Sequence, residues 1–311
     1  MQFPAGVTVF ERGWLSSNCV LFCGGEGTAL VDSGYVTHAA QLLALLQRAL
    51  QGGTLDLLVN THLHSDHCGG NAALQATYPA LRTQIAPGQA SLVRCWDPVA
   101  LSYTPTGQSC PQFRFDGVLA PGADVRLGKL LWQVHAAPGH DPHSVVLFEP
   151  QSRTLISADA LWERGFGVVF PELDGLNAFD AVARTLDLIE SLRPLLIIPG
   201  HGAPFGDAGV EGCKAHGLIA QSIAYARKRL DSFVSHPQRH RQYAAKVLVK
   251  FKLLECQQIT WAGLLAWALA TPYLGHVLQP TPDNLRALVD DLVRSGAARL
   301  DRNTIYNHGP A

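Results

Sequence analysis

Short apolar runs separated by turn residues dominate the first two thirds of the chain. Runs of four to six residues predict strands over 7–12, 18–23, 28–32, 55–60, 83–86, 130–135, 144–149, 154–157 and 195–198. Leucine and alanine at helical spacing predict helices over 37–50, 89–95 and 177–192. Strands that alternate with helices indicate an α/β fold built on sheets.

The pattern changes after about Asp207, where helices take over. Helical spacing predicts helices over 210–235, 242–255, 260–270 and 282–295, and the alternating tail over 298–306 favours a hairpin or wing. We therefore expect two domains, residues 1–208 and a C-terminal helical domain of residues 209–311. Residues 97–121 are rich in proline, glycine, serine and threonine, which predicts an irregular insertion in the first domain.

Composition narrows the class of protein. Of the 311 residues, 47% are hydrophobic and 16% are charged, as in a well-packed globular chain, and the net charge of −1 gives no global attraction for nucleic acid or membranes. The most apolar stretch, 259–269, is too short to cross a bilayer, and the first residues lack the pattern of a secretory signal. The seven cysteines are scattered without a CxxC pair, so we expect a reducing cytoplasm.

Histidines and aspartates follow the ends of several predicted strands. Side chains at such ends converge on one edge of a sheet, and imidazole and carboxylate are ligands that suit zinc and related divalent metals. A single histidine near a turn is more often a surface residue, so the prediction depends on the whole set. Its members are His62, His64, Asp66, His67, His140, Asp159 and His201.

The spacing of the first four members allows one short segment to serve two ions. His62 and His64 alternate, so both point the same way in an extended segment, whereas Asp66 and His67 follow at a turn. Four ligands do not complete two sites, so the distant His140, Asp159 and His201 are needed as well.

These motifs resemble the metallo-β-lactamase superfamily over roughly residues 7–205. His62–His67 reads HxHxDH, and the other matching motifs, in chain order, are Val31-Asp32-Ser33-Gly34, Pro138-Gly139-His140, Ser157-Ala158-Asp159 and Pro199-Gly200-His201-Gly202. The resemblance implies an αββα sandwich of two sheets between helices. One departure is Ser144, where many members have a second histidine; His143 lies one position earlier.

The resemblance also implies a ligand set. His62, His64 and His140 would hold one metal, Asp66, His67 and His201 would hold the other, and Asp159 would bridge them, while Asp32 plays a supporting role. We expect zinc, with iron or manganese as alternatives. The implied activity is a binuclear hydrolase in which metal-bound hydroxide, oriented by Asp66 or Asp159 as catalytic residues, attacks an ester, thioester or similar carbonyl.

Two other activities use the same ligands and stay open. The first is a metal-dependent phosphodiesterase or single-stranded RNA endonuclease, as in the lactamase-β-2-like members of the superfamily, which carry a winged-helix module. The order of elements predicted from residue 241 onward is similar to that module. The second is an iron-dependent persulfide dioxygenase, which keeps the HxHxDH motif.

A basic segment in the C-terminal part raises the question of whether the protein binds nucleic acid. Residues 227–252 hold eight lysines and arginines against one acidic residue, Asp231, and could bind nucleic acid. We favour a helical cap that packs over the cleft or a dimer partner, because basic helix faces are common. The expected partner is thus a small-molecule substrate, with no membrane and with oligomerisation left open.

Several other residues have two interpretations. The aromatic residues of the insertion, Trp96, Tyr103, Phe113 and Phe115, either line a pocket or anchor the loop, whereas those after Asp159, namely Trp162, Phe166 and Phe170, are better positioned to face a cleft. We interpret Cys68 as a small buried residue rather than a ligand.

Overall fold

Two six-stranded sheets form the centre of the computed structural model, which describes residues 3–25, 27–207 and 217–308. The strands of the first sheet follow chain order: β1 (Val7–Phe10), β2 (Cys19–Phe22), β3 (Ala29–Val31), β4 (Leu57–Val59), β5 (Arg82–Ile85) and β6 (Gly117–Val118). β1 to β3 pair antiparallel, and β3 to β6 pair parallel. The carboxyl ends of the parallel strands therefore meet at one edge.

The second sheet contains β7 (Asp124–Leu127), β8 (Leu130–Ala136), β9 (Val145–Glu149), β10 (Thr154–Ala158), β11 (Leu196–Pro199) and β12 (Phe205–Gly206), in the reverse of chain order. β10 and β11 run parallel, and the other pairs are antiparallel. The insertion is less irregular than expected, because its strand β6 extends the first sheet beside β5.

Helices cover the outer faces of both sheets. In chain order they are α1 (Ala39–Leu50), α2 (Ser65–Cys68), α3 (Asn71–Thr77), α4 (Ala90–Cys95), α5 (Phe170–Leu173), α6 (Phe179–Leu192) and α7 (Leu218–Ser235). α1 and α3 pack on the first sheet, and α6 and α7 pack on the second. This arrangement is the αββα sandwich predicted from the sequence, and the prediction is confirmed.

Alternation along each strand divides the core into layers. On β2, Phe22 packs edge-on against Trp132 of β8 between the two sheets. Leu21, on the opposite face of β2, joins Leu42 and Leu46 of α1. The inner layer thus fixes the sheets face to face, and the outer layers hold the helices.

The C-terminal part contains α8 (Pro237–Cys256), β13 (Gln258–Thr260), α9 (Trp261–Leu269), α10 (Pro272–Leu278), α11 (Pro282–Arg294), β14 (Ala298–Asp301) and β15 (Thr304–Asn307). β15 pairs with both β13 and β14, so the predicted hairpin at 298–306 is observed, and β13 completes a three-stranded sheet. This order of helices and hairpin is similar to that of a winged helix, with α10 as an additional helix. The apolar cluster that holds these elements together also includes Val168 and Leu173 from the first part of the chain.

Three sequence predictions for this part need comment. α8 begins at Pro237, earlier than residue 242, because proline is tolerated in a first helical turn. The short helix α10, which contains Gly275, was not predicted. The expected boundary at 208/209 and the first residues of the helix predicted at 210 lie outside the described residues; α7 itself packs with α6 on the second sheet.

No helix within the described ranges is long and apolar enough to cross a membrane. The most apolar stretch of the sequence, 259–269, divides between β13 and α9. Leu264 and Ala268 of α9 are fully buried, whereas Leu269 is 66% exposed.

Leu264→Ala should lower the free energy of unfolding by about 3 kcal/mol, because it empties a fully buried position in the C-terminal cluster. Leu269→Ala in the same helix is the matched control, and we expect it to change that free energy by less than about 0.5 kcal/mol. Urea unfolding followed by circular dichroism measures both. Equal effects of the two substitutions would contradict this packing.

Candidate metal centre

Strand ends bring the seven predicted residues to one edge of the sandwich. His62 and His64 follow β4, and Asp66 and His67 lie on α2. The other three follow strands of the second sheet: His140 follows β8, Asp159 follows β10, and His201 follows β11. The first four therefore come from one sheet and the last three from the other.

The side chains form three overlapping groups of potential ligands. These are His62, His64 and His140; His62, His67 and Asp159; and Asp66, His67 and His201, and within each group the ligand atoms lie within 4.8 Å of one another. Asp159 lies between the sets, with one oxygen 3.4 Å from His67 Nε2 and the other 3.4 Å from His140 Nε2. All seven residues predicted from the sequence are thus brought together.

The opposite ring nitrogens are held by the framework. His67 Nδ1 lies 2.8 Å from a carboxylate oxygen of Asp32, and His140 Nδ1 lies 2.5 Å from the carbonyl oxygen of Val168. These bonds leave Nε2 of each ring directed into the cluster, where Nε2 of His140 lies 2.7 Å from Nδ1 of His64. Nε2 of His62 and of His67 is buried and has no hydrogen-bond partner among the described residues. Buried nitrogens of this kind fit a cation as their missing partner.

Two of the imidazoles are held neutral. Burial and the neighbouring histidines lower the pKa of His62 well below its usual value, with His67 the strongest of those neighbours. Burial and then His64 lower the pKa of His140 to about 3. Neutral imidazole is the form that binds metals, so both rings are ready to act as ligands at neutral pH.

The carboxylates raise the pKa values of two other histidines, His67 and His201. Burial opposes ionisation of Asp159, yet positive charge on His201 and His67 holds its pKa well below the usual range. For the same reason, although burial lowers them, the pKa values of His67 and His201 are raised, most strongly by Asp159. The raised pKa values favour protons on these two rings beside the carboxylate, and a bound cation would displace such protons.

Backbone strain marks two positions beside the ligands. Asp32 (φ 59°) and Ala158 (φ 46°) adopt left-handed conformations that non-glycine residues seldom take. Asp32 accepts hydrogen bonds from the backbone N–H and the hydroxyl of Thr61, at 2.9 and 2.7 Å, in addition to its contact with His67. At Ala158 the register between β10 and β11 shifts, just before Asp159.

Two glycines permit the close approach of backbone to ligand. A Cβ atom on Gly200 would lie 2.2 Å from Asp159 Oδ1, and one on Gly167 would lie 2.3 Å from His140 Nδ1. Both distances are far shorter than any contact that heavy atoms tolerate. The glycine of the Pro199-Gly200-His201 motif is therefore required by the space that Asp159 occupies.

A cleft with an empty volume of about 660 Å³, including space open to solvent, lies beside the cluster. The Trp14 ring stacks on His201 at 5.5 Å between centroids, and Phe170 meets His64 edge-on at 4.9 Å. One wall comes from α8, so the C-terminal part packs over the cleft as a cap. The residues that line it are Trp14, His64, Asp66, Ser102, Thr106, Gln108, His140, Asp159, Trp162, Gly167, Val168, Phe170, His201, Tyr243, Val247, Leu248 and Phe251.

His240 fixes α8 to the loop behind His140. Its Nε2 accepts a hydrogen bond of 3.1 Å from the backbone N–H of Val169. Burial, with Arg229 and Arg241, lowers the pKa of His240 to about 4, so the ring is neutral at pH 7 and can accept this bond. The wall formed by α8 is thereby tied to the loop that orients a predicted ligand.

The other residues singled out in the sequence divide between cleft and core. Trp162 and Phe170 line the cleft, whereas Phe166 is buried against Phe233. The aromatic residues of the insertion anchor it in a separate apolar cluster of Trp96, Tyr103, Phe113 and Phe115. The insertion instead contributes Ser102, Thr106 and Gln108 to the cleft.

The residues around the third motif also have defined positions. His143 is partly buried and packs over Gly88, outside the lining of the cleft. Ser144, the departure from the family pattern, donates a hydrogen bond of 2.5 Å to the carbonyl of Ala137 and so closes the loop around His140. Cys68 is fully buried, with its sulfur 3.3 Å from the Tyr103 hydroxyl.

Sequence reasoning missed several residues of this site. Asp141 is buried, with a carboxylate oxygen 3.8 Å from Nε2 of His64, and its position directly after His140 was the available signal. Trp14 and Gln108 lie in segments without periodicity, so no local signal marked them. Tyr243 and Phe251 on α8 were expected only as parts of a helix.

Comparison with known proteins agrees with this geometry. Residues 12–201, more than half of the chain, match the family model described as the metallo-beta-lactamase superfamily. The chain belongs to the metallo-β-lactamase superfamily. This membership confirms the resemblance seen in the motifs from Asp32 to His201.

Individual relatives extend the match. The chain is 26% identical over 203 residues to a hydroxyacylglutathione hydrolase from Brucella anthropi, covering 65% of each protein. It is 27% identical over 256 residues to a beta-lactamase-like protein 2 homolog from Drosophila melanogaster, covering 76% of this chain and 74% of that protein. Among its curated superfamily relatives, the chain spans between 47% and 74% of their length.

A solved superfamily structure covers the C-terminal part as well. The crystal structure of a metallo-beta-lactamase family protein from Thermus thermophilus matches with a TM-score of 0.56 at 18% identity. The match covers 97% of this chain and 99% of that chain. Identity this low indicates a shared fold alone.

Asp32→Asn should weaken metal binding about 10- to 100-fold, because an amide holds His67 in its binding orientation less firmly than a carboxylate does. Isothermal titration of the metal-free protein with zinc measures the affinity. Asp56→Asn is the matched control, since Asp56 likewise accepts a backbone hydrogen bond, from Thr28 at 2.8 Å, away from the cluster. Unchanged affinity in Asp32→Asn would show that His67 does not depend on Asp32.

Gly200→Ala should displace the Asp159 carboxylate and lower the metal content of the purified protein, while the fold is retained. Gly275→Ala is the control, because a Cβ atom there meets nothing within 4 Å. Elemental analysis gives metal per chain, and circular dichroism reports the fold. Full metal content in Gly200→Ala would show that a Cβ atom at this position does not displace the Asp159 carboxylate.

Proposed function

We propose that the protein is a metal-dependent hydrolase that binds two divalent cations and acts on an ester, thioester or similar carbonyl substrate. One observation carries the proposal: each oxygen of the Asp159 carboxylate lies 3.4 Å from a histidine of a different ligand set, His67 or His140. A carboxylate between two sets of imidazoles suits a bridging ligand. The name of the Brucella relative, a hydroxyacylglutathione hydrolase, supports thioester chemistry.

His62, His64 and His140 would hold one cation, and Asp66, His67 and His201 would hold the other, with Asp159 shared. We propose zinc, because imidazole and carboxylate suit it; iron and manganese accept the same donors. When bound, the cations lower the pKa of water and stabilise negative charge that develops on a substrate oxygen.

The side chains around the ligands supply orientation. Trp162 donates a hydrogen bond of 3.3 Å from Nε1 to Asp159 Oδ1, which steadies the shared carboxylate. Asp66 is the more accessible of the two aspartates, at 15% side-chain exposure against 6% for Asp159, and would accept a hydrogen bond from the attacking water. The aromatic rings of Trp14 and Phe170 line the cleft, where they pack on His201 and His64.

His140→Ala should reduce the metal content below two per chain and lower kcat/KM for thioester hydrolysis by more than about 100-fold. His143→Ala is the matched control, because this nearby histidine packs on Gly88 and does not line the cleft. Thioester hydrolysis is followed by release of the thiol, and metal by elemental analysis. Activity that survives complete chelation in the wild-type protein would overturn the proposal.

Cleavage of single-stranded RNA stays a prediction. Two observations are compatible with it: the order of elements in the C-terminal part, which is similar to a winged helix, and the similarity to a beta-lactamase-like protein 2 homolog. The basic segment gives it less support than its sequence indicated. Six of its eight basic side chains contact partners within the chain: Arg227, Arg229, Arg239, Lys246, Lys250 and Lys252. Salt-dependent RNA binding that is lost on neutralising Arg239, Arg241 and Lys250 would favour this activity.

Persulfide oxidation with iron also stays a prediction, and the metal content of purified protein together with oxygen uptake would decide it. Cytoplasmic location likewise stays a prediction, and oligomerisation stays open. A small-molecule substrate remains the proposed partner, because the cleft beside the ligands has α8 as one of its walls.

A further inference from the structure

The cleft beside the ligand cluster has an unusual charge distribution. Among the described residues that line it there is no lysine or arginine, and its only carboxylates are Asp66 and Asp159 of the cluster. An anionic group on a substrate needs a cationic or hydrogen-bonding partner when it leaves water. Away from the ligands, the described walls of this cleft offer no cation, and the polar side chains that the insertion contributes are the uncharged Ser102, Thr106 and Gln108.

The basic residues of the adjacent helices are engaged elsewhere. The Arg229 guanidinium lies 4.0 Å from the centroid of the Tyr243 ring, on which it stacks. Lys246 pairs with Asp291, and Lys250 donates a 2.6 Å hydrogen bond to the backbone carbonyl of Ala297. These three cations therefore have partners within the chain, and none of them lines the cleft.

The wall opposite the ligands is apolar and continuous. Tyr243, Val247 and Phe251 are four residues apart on α8, so they lie on one face of the helix, and Leu248 fills the space beside them. The Phe170 ring connects this wall to the ligands through its edge-on contact with His64, at 4.9 Å between centroids. An apolar chain with its carbonyl at the histidines would thus lie against α8.

From these two observations we propose that the substrates are thioesters or esters with an uncharged, apolar acyl chain and a leaving group without anionic groups. The acyl chain would lie along Val247, Leu248 and Phe251. This inference rests on the proposed hydrolase activity and narrows it. Thioesters of anionic carriers, such as glutathione with its two carboxylates, are poor substrates on this basis.

The reaction consumes one water molecule. The oxygen of water forms a bond to the acyl carbon, and the bond between that carbon and sulfur breaks. The sulfur leaves as a thiolate and takes up a proton from water, so a carboxylic acid and a free thiol result. No oxidant, reductant or second substrate is required.

A matched panel of thioesters tests the proposal with the metal-loaded, full-length protein. Acetyl, butyryl, hexanoyl and octanoyl groups are each attached to N-acetylcysteamine, which is uncharged, and to glutathione. We expect kcat/KM on the neutral carrier to rise about threefold for each added methylene until the wall is covered. The neutral carrier should be preferred over glutathione about tenfold or more at equal chain length.

The outcomes separate the two claims. If no thioester is hydrolysed by protein with full metal content, the hydrolase activity itself is wrong and the substrate class falls with it. If the glutathione thioesters react as well as or better than the neutral ones, the hydrolase activity stands and the substrate class is wrong. Rates that do not depend on chain length would remove the role assigned to α8.

A variant of the wall gives an independent readout. Val247→Arg should lower kcat/KM for the octanoyl thioester of the neutral carrier at least about tenfold, because it adds a cation to the apolar wall. The same cation should reduce the ratio of kcat/KM for the neutral carrier to kcat/KM for glutathione. Val234→Arg on α7 is the matched control, because Val234 is 56% exposed and does not line the cleft. Circular dichroism and metal content verify the fold of each variant, and Val247→Thr, of nearly equal size, replaces Val247→Arg if the latter does not fold.

Binding without turnover completes the test. The octyl thioether of N-acetylcysteamine cannot be hydrolysed, and its binding should quench tryptophan fluorescence because Trp14 and Trp162 line the cleft. We expect affinity to fall at least about threefold in Val247→Thr and to be unchanged in Val234→Arg. Equal affinity in wild-type protein and in the Val247 variants would overturn the proposal, whatever the turnover of the thioesters.

Discussion

The site depends on the burial of histidines and carboxylates at the ends of strands, with part of each side chain bound to the framework. Burying such a group without a partner would cost free energy, because a charged or polar side chain loses its hydrogen bonds with water. Here Asp32 and the carbonyl of Val168 hold the outer ring nitrogens of His67 and His140. The inner nitrogens and the Asp159 oxygens are left to satisfy one another, or a cation, so the fold creates a donor set rather than a packed core.

The C-terminal part gives this donor set a shape. α8 covers the cleft, and His240 ties it to the backbone of Val169, next to the carbonyl that orients His140. The Tyr35 hydroxyl, which donates to Glu255 at 2.7 Å, forms a second tie between the two parts. The position of α8 and the orientation of His140 therefore depend on neighbouring hydrogen bonds to the same loop, at Val169 and Val168. His140 and His240 are nevertheless far apart in the sequence.

Much of the sandwich and its candidate ligands could be predicted from the sequence, because the information is local. Strand ends are marked by apolar runs, and HxHxDH sets four side chains within six residues. The role of Asp32 at His67 and the wall on α8 could not be predicted, since each depends on how separate layers pack. The side chains of Val247 and Phe251 follow an ordinary helical pattern, and only packing over the cleft distinguishes them from core residues. The short strand β6 was missed because two residues carry no periodicity.

The separation of the ligands from the wall has an evolutionary consequence. His62, His140 and Asp159 are constrained by one another and by the glycines that crowd them, so nearly every change there is harmful. Val247 on α8 lines the cleft but is only partly buried and contacts none of these glycines. Selection can therefore alter Val247 and reach new substrates by single steps while the ligands stay as they are. A lineage of related proteins could diversify in what it degrades while retaining one unaltered centre.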